Sequence, residues 1–130
     1  MLILKIHSKD GWQDKIKRID QEEALIIDCS LVGSIEEVQL AEILAQRSFE
    51  QKKNIGKQFK YEFLLWLTAK RDIKSALEIA RPKGEELFLI IFEGDKKEIL
   101  RKLGVKEIRF RLKKSAAPFE LEKISLSRVL

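Results

Sequence analysis

The feature that most limits how this chain can fold is an apolar run, Phe63 to Leu67, set between cationic flanks. Phe59, Phe63, Trp66 and Leu67 fall on one face at helical spacing, and Leu64 and Leu65 carry the apolar surface further round the cylinder. A helix apolar over so much of its circumference belongs at the centre of a core, so the spacing predicts a central helix from about Lys57 to Ala69. The flanks are equally distinctive. Residues 52 to 74 include Lys52, Lys53, Lys57, Lys60, Lys70, Arg71 and Lys74 against only Glu62 and Asp72, an excess of +5 that equals the net charge of the protein. The remaining basic and acidic residues cancel.

The elements around this helix follow from local pattern. Leu2 to Ile6 and Ala24 to Cys29 read as strands, and between them Trp12, Ile16 and Ile19 recur at i, i+4 and i+7 as a narrow helical stripe. Ser34 with Glu37 forms a capping box opening a helix whose Val38, Ala41, Ala45 and Phe49 face inward. That helix is expected to run to about Gln51 or Lys52, with Asn54 and Gly56 marking its end and a tight turn. Asp72 caps a third helix carrying Ile73, Ala76, Leu77 and Ala80, which Pro82 and Gly84 stop. Leu87 to Phe92 is a continuous apolar run, the pattern of a buried central strand. Asp95 caps a short helix that Gly104 ends, and Glu107 to Leu112 alternates as a last strand with Arg109 and Arg111 outward. After Leu112, Leu121 and Ile124 suit a helix, whereas Ile124, Leu126 and Arg128 suit a strand.

Together these predict a single α+β (α/β) domain over residues 1–130, a small, mostly antiparallel sheet of about four strands packed on a cluster of helices. The length is enough for one core without staples, and one cysteine excludes an internal disulfide framework. No apolar run approaches a membrane span and no leader is visible, so a cytoplasmic chain without membrane association is expected. The abundance of Lys, Glu and Ile would suit a thermophile.

Catalytic patterns are sparse. His7 is the only histidine, so a nucleophile–base pair would have to recruit it from the end of a strand. Cys29 falls in a predicted strand as a small buried hydrophobe, and one His with one Cys makes no zinc site. The glycines are scattered and build no phosphate loop, and the neighbouring pairs Glu36-Glu37 and Glu85-Glu86 diverge into solvent. A non-enzyme with no cofactor and no metal is expected.

Binding surfaces say more. Lys53, Lys57 and Lys60 are spaced i, i+4, i+7 around the turn that opens the central helix, and Lys70, Arg71 and Lys74 cluster where it hands over to the next. A solvated lysine face is the plain reading, but the cations lack local acids and would neutralise phosphates, with Arg71 able to fork onto one. A second basic run, Lys106, Arg109, Arg111, Lys113 and Lys114, could bind a ligand or blunt a sheet edge.

A family resemblance rests on several of these residues. Val32-Gly33-Ser34, the segment Phe49 to Ile55, then Glu62 to Leu65, Arg71 to Ile73 and Ala76-Leu77 resemble the small kinase-binding subunit of the KEOPS (EKC) complex, over roughly residues 24 to 112. Where relatives commonly carry glutamine, this chain has Asp72, and the tail beyond Leu112 matches only loosely at Ile124 to Leu130. The resemblance implies a single α/β domain that binds the complex's atypical kinase-ATPase subunit. It also implies an archaeal type of subunit that holds the single-stranded CCA 3′ end of tRNA during threonylcarbamoyladenosine formation, with no DNA partner. The residues that would meet RNA are Lys53, Asn54, Ile55, Lys57, Lys60, Lys70, Arg71 and Lys74, with the two charged ends converging into one rim. Those that would meet the kinase are Leu121, Ile124, Leu126, Arg128, Val129 and Leu130. A protein-interaction module that regulates the kinase without touching RNA is the alternative.

Overall fold

The computed structural model describes residues 1–128. The kinase contacts expected of Val129 and Leu130 therefore lie outside the described residues. The fold is of the mixed α+β class, with four antiparallel strands and six α-helices among the described residues. Contacts group the chain into two compact units, Met1–Cys29 with Arg81–Phe110, and Ser30–Ala80 with the chain from Arg111 onward.

The first unit holds the sheet. Strands β1 (Leu2–His7), β2 (Ala24–Asp28), β3 (Glu86–Ile91) and β4 (Glu107–Ile108) lie in the order β2-β3-β1-β4. β3 pairs on both sides, Leu87 to Ile91 against β2 and Glu86 to Ile91 against β1. Its unbroken apolar sequence fits that interior position, with Leu87 to Ile91 all buried. Helices α1 (Gln13–Arg18) and α5 (Lys96–Leu103) pack together, and Ile19, Ile99 and Leu103 join Leu4, Ile6, Ile26, Leu87 and Leu89 in one core. The last carbonyl of α5, on Leu103, accepts from Lys15 Nζ at 3.0 Å and Arg18 Nη1 at 3.2 Å. Lys15 is thereby buried with its charge against a helix C-terminus, where a cation is favoured.

The final strand is shorter than its alternation predicts. Only Glu107 and Ile108 pair with β1, so Arg109, Arg111 and Lys113 line no sheet edge. Further along, the carbonyls of Lys113 and Lys114 accept from the Ile35 and Glu36 amides at 2.8 and 3.1 Å. They satisfy donors left open at the start of α2 (Ile35–Glu50), a use of the backbone that ends the strand's alternative.

The second unit is helical. Ser34 caps α2 as expected, its Oγ accepting from the Glu37 amide, while the Glu37 carboxylate takes the Ser34 hydroxyl at 2.8 Å. α2 packs on α3 (Phe59–Thr68) and on α6 (Pro118–Ser125), and α3 also packs on α4 (Ile73–Ala80) and α6. The expected central helix is α3, buried from Glu62 through Thr68. Asp72 caps α4 through the Ser75 amide at 2.8 Å. The tail resolves as a helix, and Ile124 is buried at 3% exposure.

Candidate nucleic-acid interface

The candidate surface is built on the two ends of α3. At its start, residues 51–58 connect α2 to α3. α2 ends close to the expected Gln51 or Lys52: Lys52 takes left-handed φ at 57°, the Lys53 amide donates to Ser48 O at 2.8 Å and the Lys52 amide to Phe49 O at 3.1 Å. Asn54 instead braces the loop, its Nδ2 donating to Gly56 O at 2.7 Å. The Ile55 and Gly56 amides, 3.0 and 2.9 Å away, both donate to Glu62 Oε1. Gly56 is buried so close to α3 that a Cβ would stand 2.8 Å from the Glu62 nitrogen. The loop is thus drawn tightly over the first turn of α3, with Lys52, Lys53, Ile55 and Lys57 pointing to solvent.

Glu62 is the node of this arrangement. It is fully buried, and its second oxygen meets Arg128 Nη1 at 2.6 Å. The Arg128 guanidinium lies 4.0 Å from the Trp66 ring centroid, stacked one helical turn from Glu62. Trp66 Nε1 donates to Ser48 Oγ at 3.1 Å, and Ser48 donates on to Leu44 O. Burial pushes the Glu62 carboxyl up, but the Arg128 guanidinium, the Gly56 amide and the Ser48 hydroxyl outweigh it and hold its pKa below the ordinary glutamate value.

At the far end, Ala69 closes α3 in left-handed conformation at φ 57°, and Lys70, Arg71 and Lys74 are exposed. Arg71 Nε donates to Ser127 O at 3.2 Å, so this side chain braces the tail.

Several expectations about individual residues change. Lys60 is only 2% exposed, with Nζ 5.4 Å from the Tyr61 ring centroid; it belongs to the interior and forms no part of an exposed rim. Its place on the face of α3 that packs inward is the reason. The two cationic groups do not converge, since α3 has 10 residues and separates them by about 15 Å. Nor do Lys113 and Lys114 of the second basic run join them. Lys113 and Lys114 sit at the start of the 16-residue α2, about 24 Å along it from Lys52 and Lys53. In the tail, Ile124 and Arg128 are spent inside their own unit, leaving Leu126 exposed and Leu121 half-buried. Phe63, Leu64, Trp66 and Leu67 are core and offer no platform for a base.

The charge surplus survives these changes. Lys60 and Glu62 both leave the surface, and within residues 52–74 six exposed cations, Lys52, Lys53, Lys57, Lys70, Arg71 and Lys74, face one exposed acid, Asp72, with Glu50 and Glu78 exposed just outside that span. None of the six makes a side-chain ion pair among the described residues. Lys52, Lys53, Lys70 and Arg71 also follow helix C-termini, where cations are favoured without any ligand.

Sequence reasoning missed Ser48, Arg128's inward role and Phe119. The signal for Glu62 was present, since an acid inside an apolar helical face requires a buried partner. Phe119 is 68% exposed on the first turn of α6, over a groove of about 430 Å³ that Leu67, Lys70, Ile79 and Lys123 also line. Elsewhere, His7 Nε2 lies 2.9 Å from the Glu85 carboxylate on the surface. Cys29 sits in a short 3-10 turn, its thiol pushed up by burial and donating to Glu86 O. No cluster of His, Cys, Asp and Glu among the described residues could hold a metal, and no described helix is long and apolar enough to cross a membrane. No protein-family model matches the chain, and no curated protein matches it.

Proposed function

We propose that the chain is a non-catalytic accessory subunit of an archaeal, cytoplasmic KEOPS complex. In this reading it binds the atypical kinase-ATPase subunit and the single-stranded CCA 3′ end of tRNA, and so supports threonylcarbamoyladenosine formation. The observation that carries the RNA part is the surface surplus at the two ends of α3, six exposed cations against Asp72 within residues 52–74. Because the Ile55 and Gly56 amides are already taken by Glu62, phosphates would be met by side chains: Lys53 and Lys57 at one end, Lys70, Arg71 and Lys74 at the other. A separation of about 15 Å is within the reach of a strand of a few nucleotides. Of the motif residues that carry the family resemblance, Phe49 to Ile55, Glu62 to Leu65, Arg71 to Ile73 and Ala76-Leu77 fall at the end of α2, in the loop, on α3 and at α4, the elements around this surface, whereas Val32-Gly33-Ser34 precede α2 at its other end.

Binding to intact tRNA and to tRNA lacking its CCA end, each at two salt concentrations, tests the reading. Affinity should fall with salt and with removal of the end. Equal affinity for the two RNAs would exclude the CCA assignment.

The second reading is a protein-interaction module acting on the kinase alone. The groove beside Phe119 favours it, because a 68% exposed aromatic at a groove of mixed polar and apolar lining fits a protein partner. Deleting Leu121 to Leu130 would not test the tail cleanly, since it removes buried Ile124 and Arg128. Phe119→Asp and Leu126→Asp are the appropriate variants. Loss of kinase capture in these variants, together with no salt-sensitive binding of either tRNA by the parent chain, would favour the second reading.

A further inference from the structure

The loop that presents Lys53 and Lys57 is tied to the first turn of α3 by one buried carboxylate. Glu62 Oε1 accepts from the Ile55 and Gly56 amides at 3.0 and 2.9 Å, and Oε2 from Arg128 at 2.6 Å. One carboxylate, fully buried, therefore joins a loop at residues 55–56 to a side chain 66 positions from itself in the sequence. The arrangement is not symmetrical in strength. Arg128 is the only counter-charge that Glu62 meets among the described residues, whereas the amides supply dipoles. Arg128 is also incompletely satisfied: Nε and Nη2 are buried without an acceptor among the described residues. Its docking rests on the Glu62 bond and the Trp66 stack, 4.0 Å to the ring centroid. Arg71 adds a second, exposed tie from the α4 side to the tail, through Ser127 O.

We propose that Glu62 is a positioning residue for the 53–57 loop and that the tail, through Arg128, regulates it. With Arg128 docked, the carboxylate stays ionised and aligned on both amides, and the loop is held over α3. When a partner draws the tail away, Glu62 loses its counter-charge in a buried place. It must then take up a proton or leave the site, and either change weakens its hold on the loop amides. Whatever binds the tail is thus felt at Lys53 and Lys57, and by reciprocity an anion that orders the loop favours the docked tail. This regulation rests on the reading that the loop faces RNA, but the coupling itself does not.

The test is amide hydrogen exchange on the full chain, followed at Ile55 and Gly56 and referenced to β3 amides, beside binding of a short single-stranded RNA ending in CCA. Arg128→Met keeps an aliphatic side chain over Trp66 and removes the charge. It should speed exchange at the two loop amides by about tenfold or more beyond any change at β3, the scale of one charge-assisted hydrogen bond. Arg128→Lys should restore part of the protection, which a purely space-filling role for Arg128 would not predict. In a Glu62→Gln background, Arg128→Met should add little, since the link is already cut. If Arg128→Met unfolds the chain, the Arg128→Lys comparison stands in its place. Unchanged protection at Ile55 and Gly56, or loss shared equally with β3, would overturn the proposal. Faster loop exchange with unchanged RNA affinity would uphold the coupling and reject the RNA role of the loop.

Discussion

Glu62 and Arg128 form the most consequential pair at the scale of single residues. Taking two charges out of water is costly, and their separation of 2.6 Å offsets that only while both remain. Arg128→Ala should therefore lower unfolding stability by about 3 kcal/mol, read as a shifted denaturant midpoint, because it strands a buried carboxylate. The pair also sets a direction with pH. The folded-state pKa of Glu62 lies below the ordinary glutamate value of about 4.3, so the folded chain binds fewer protons between those two values. Its contribution to stability is present in full above the ordinary value and is lost as pH falls through the folded one. In Arg128→Ala, burial is no longer outweighed, so the acid-side loss should begin at higher pH, visible as a shifted stability–pH curve. A separate residue effect lies at Ala69, which holds φ 57° at the end of α3. A side chain disfavours that conformation, so Ala69→Gly should stabilise by about 0.5–1 kcal/mol in the same denaturation measurement.

Among the elements, the 53–57 loop depends on how closely it approaches α3. A Cβ on Gly56 would lie 2.8 Å from the Glu62 nitrogen and 3.2 Å from its Cα, and helix backbone cannot yield as a flexible side chain can. Gly56→Ala should cost about 1–3 kcal/mol and loosen the loop, measured by denaturation together with the exchange rate of the Ile55 amide. The difference between α3 and this loop shows what the sequence could reveal. The central helix was legible because its apolar period is local, and β3 because an unbroken apolar run marks a strand with neighbours on both sides. The loop was not, since its geometry depends on Glu62 and, through it, on Arg128 far along the chain. The alternation from Glu107 to Leu112 misled for a related reason. Alternation reports which side chains turn inward, but a strand also needs a backbone partner, and only Glu107 and Ile108 find one. Phe110 does turn inward, 5.2 Å from Phe88 between ring centroids, without belonging to the strand. Lys60 misled through spacing alone: i, i+4, i+7 places three lysines on one helical face only if all three are in the helix, and α3 starts at Phe59.

For the whole molecule, the open matter is whether the surplus at α3 is a site or only the place where the net charge of +5 resides. Equal changes of net charge at two places separate these. Lys53→Glu with Lys57→Glu takes the protein from +5 to +1, two reversals of two charges each. Lys113→Glu with Lys114→Glu makes the same change at the start of α2, on side chains that are also exposed. All four positions lie within one compact unit, so the pairs differ chiefly in place. A site at α3 predicts that the first pair weakens RNA binding severalfold and lowers its dependence on salt. For a single strand each lost phosphate contact should reduce the slope of log affinity against log salt by about 0.7, so the pair should reduce it by up to about 1.4. The second pair should leave the slope nearly unchanged and shift affinity only through the weaker long-range field. Equal losses from the two pairs would mean that the protein attracts RNA through its overall charge, and the cations at α3 would then be helix-end charges without a ligand. Titrations at several salt concentrations, with the melting temperature of each variant as a check on folding, decide between the two.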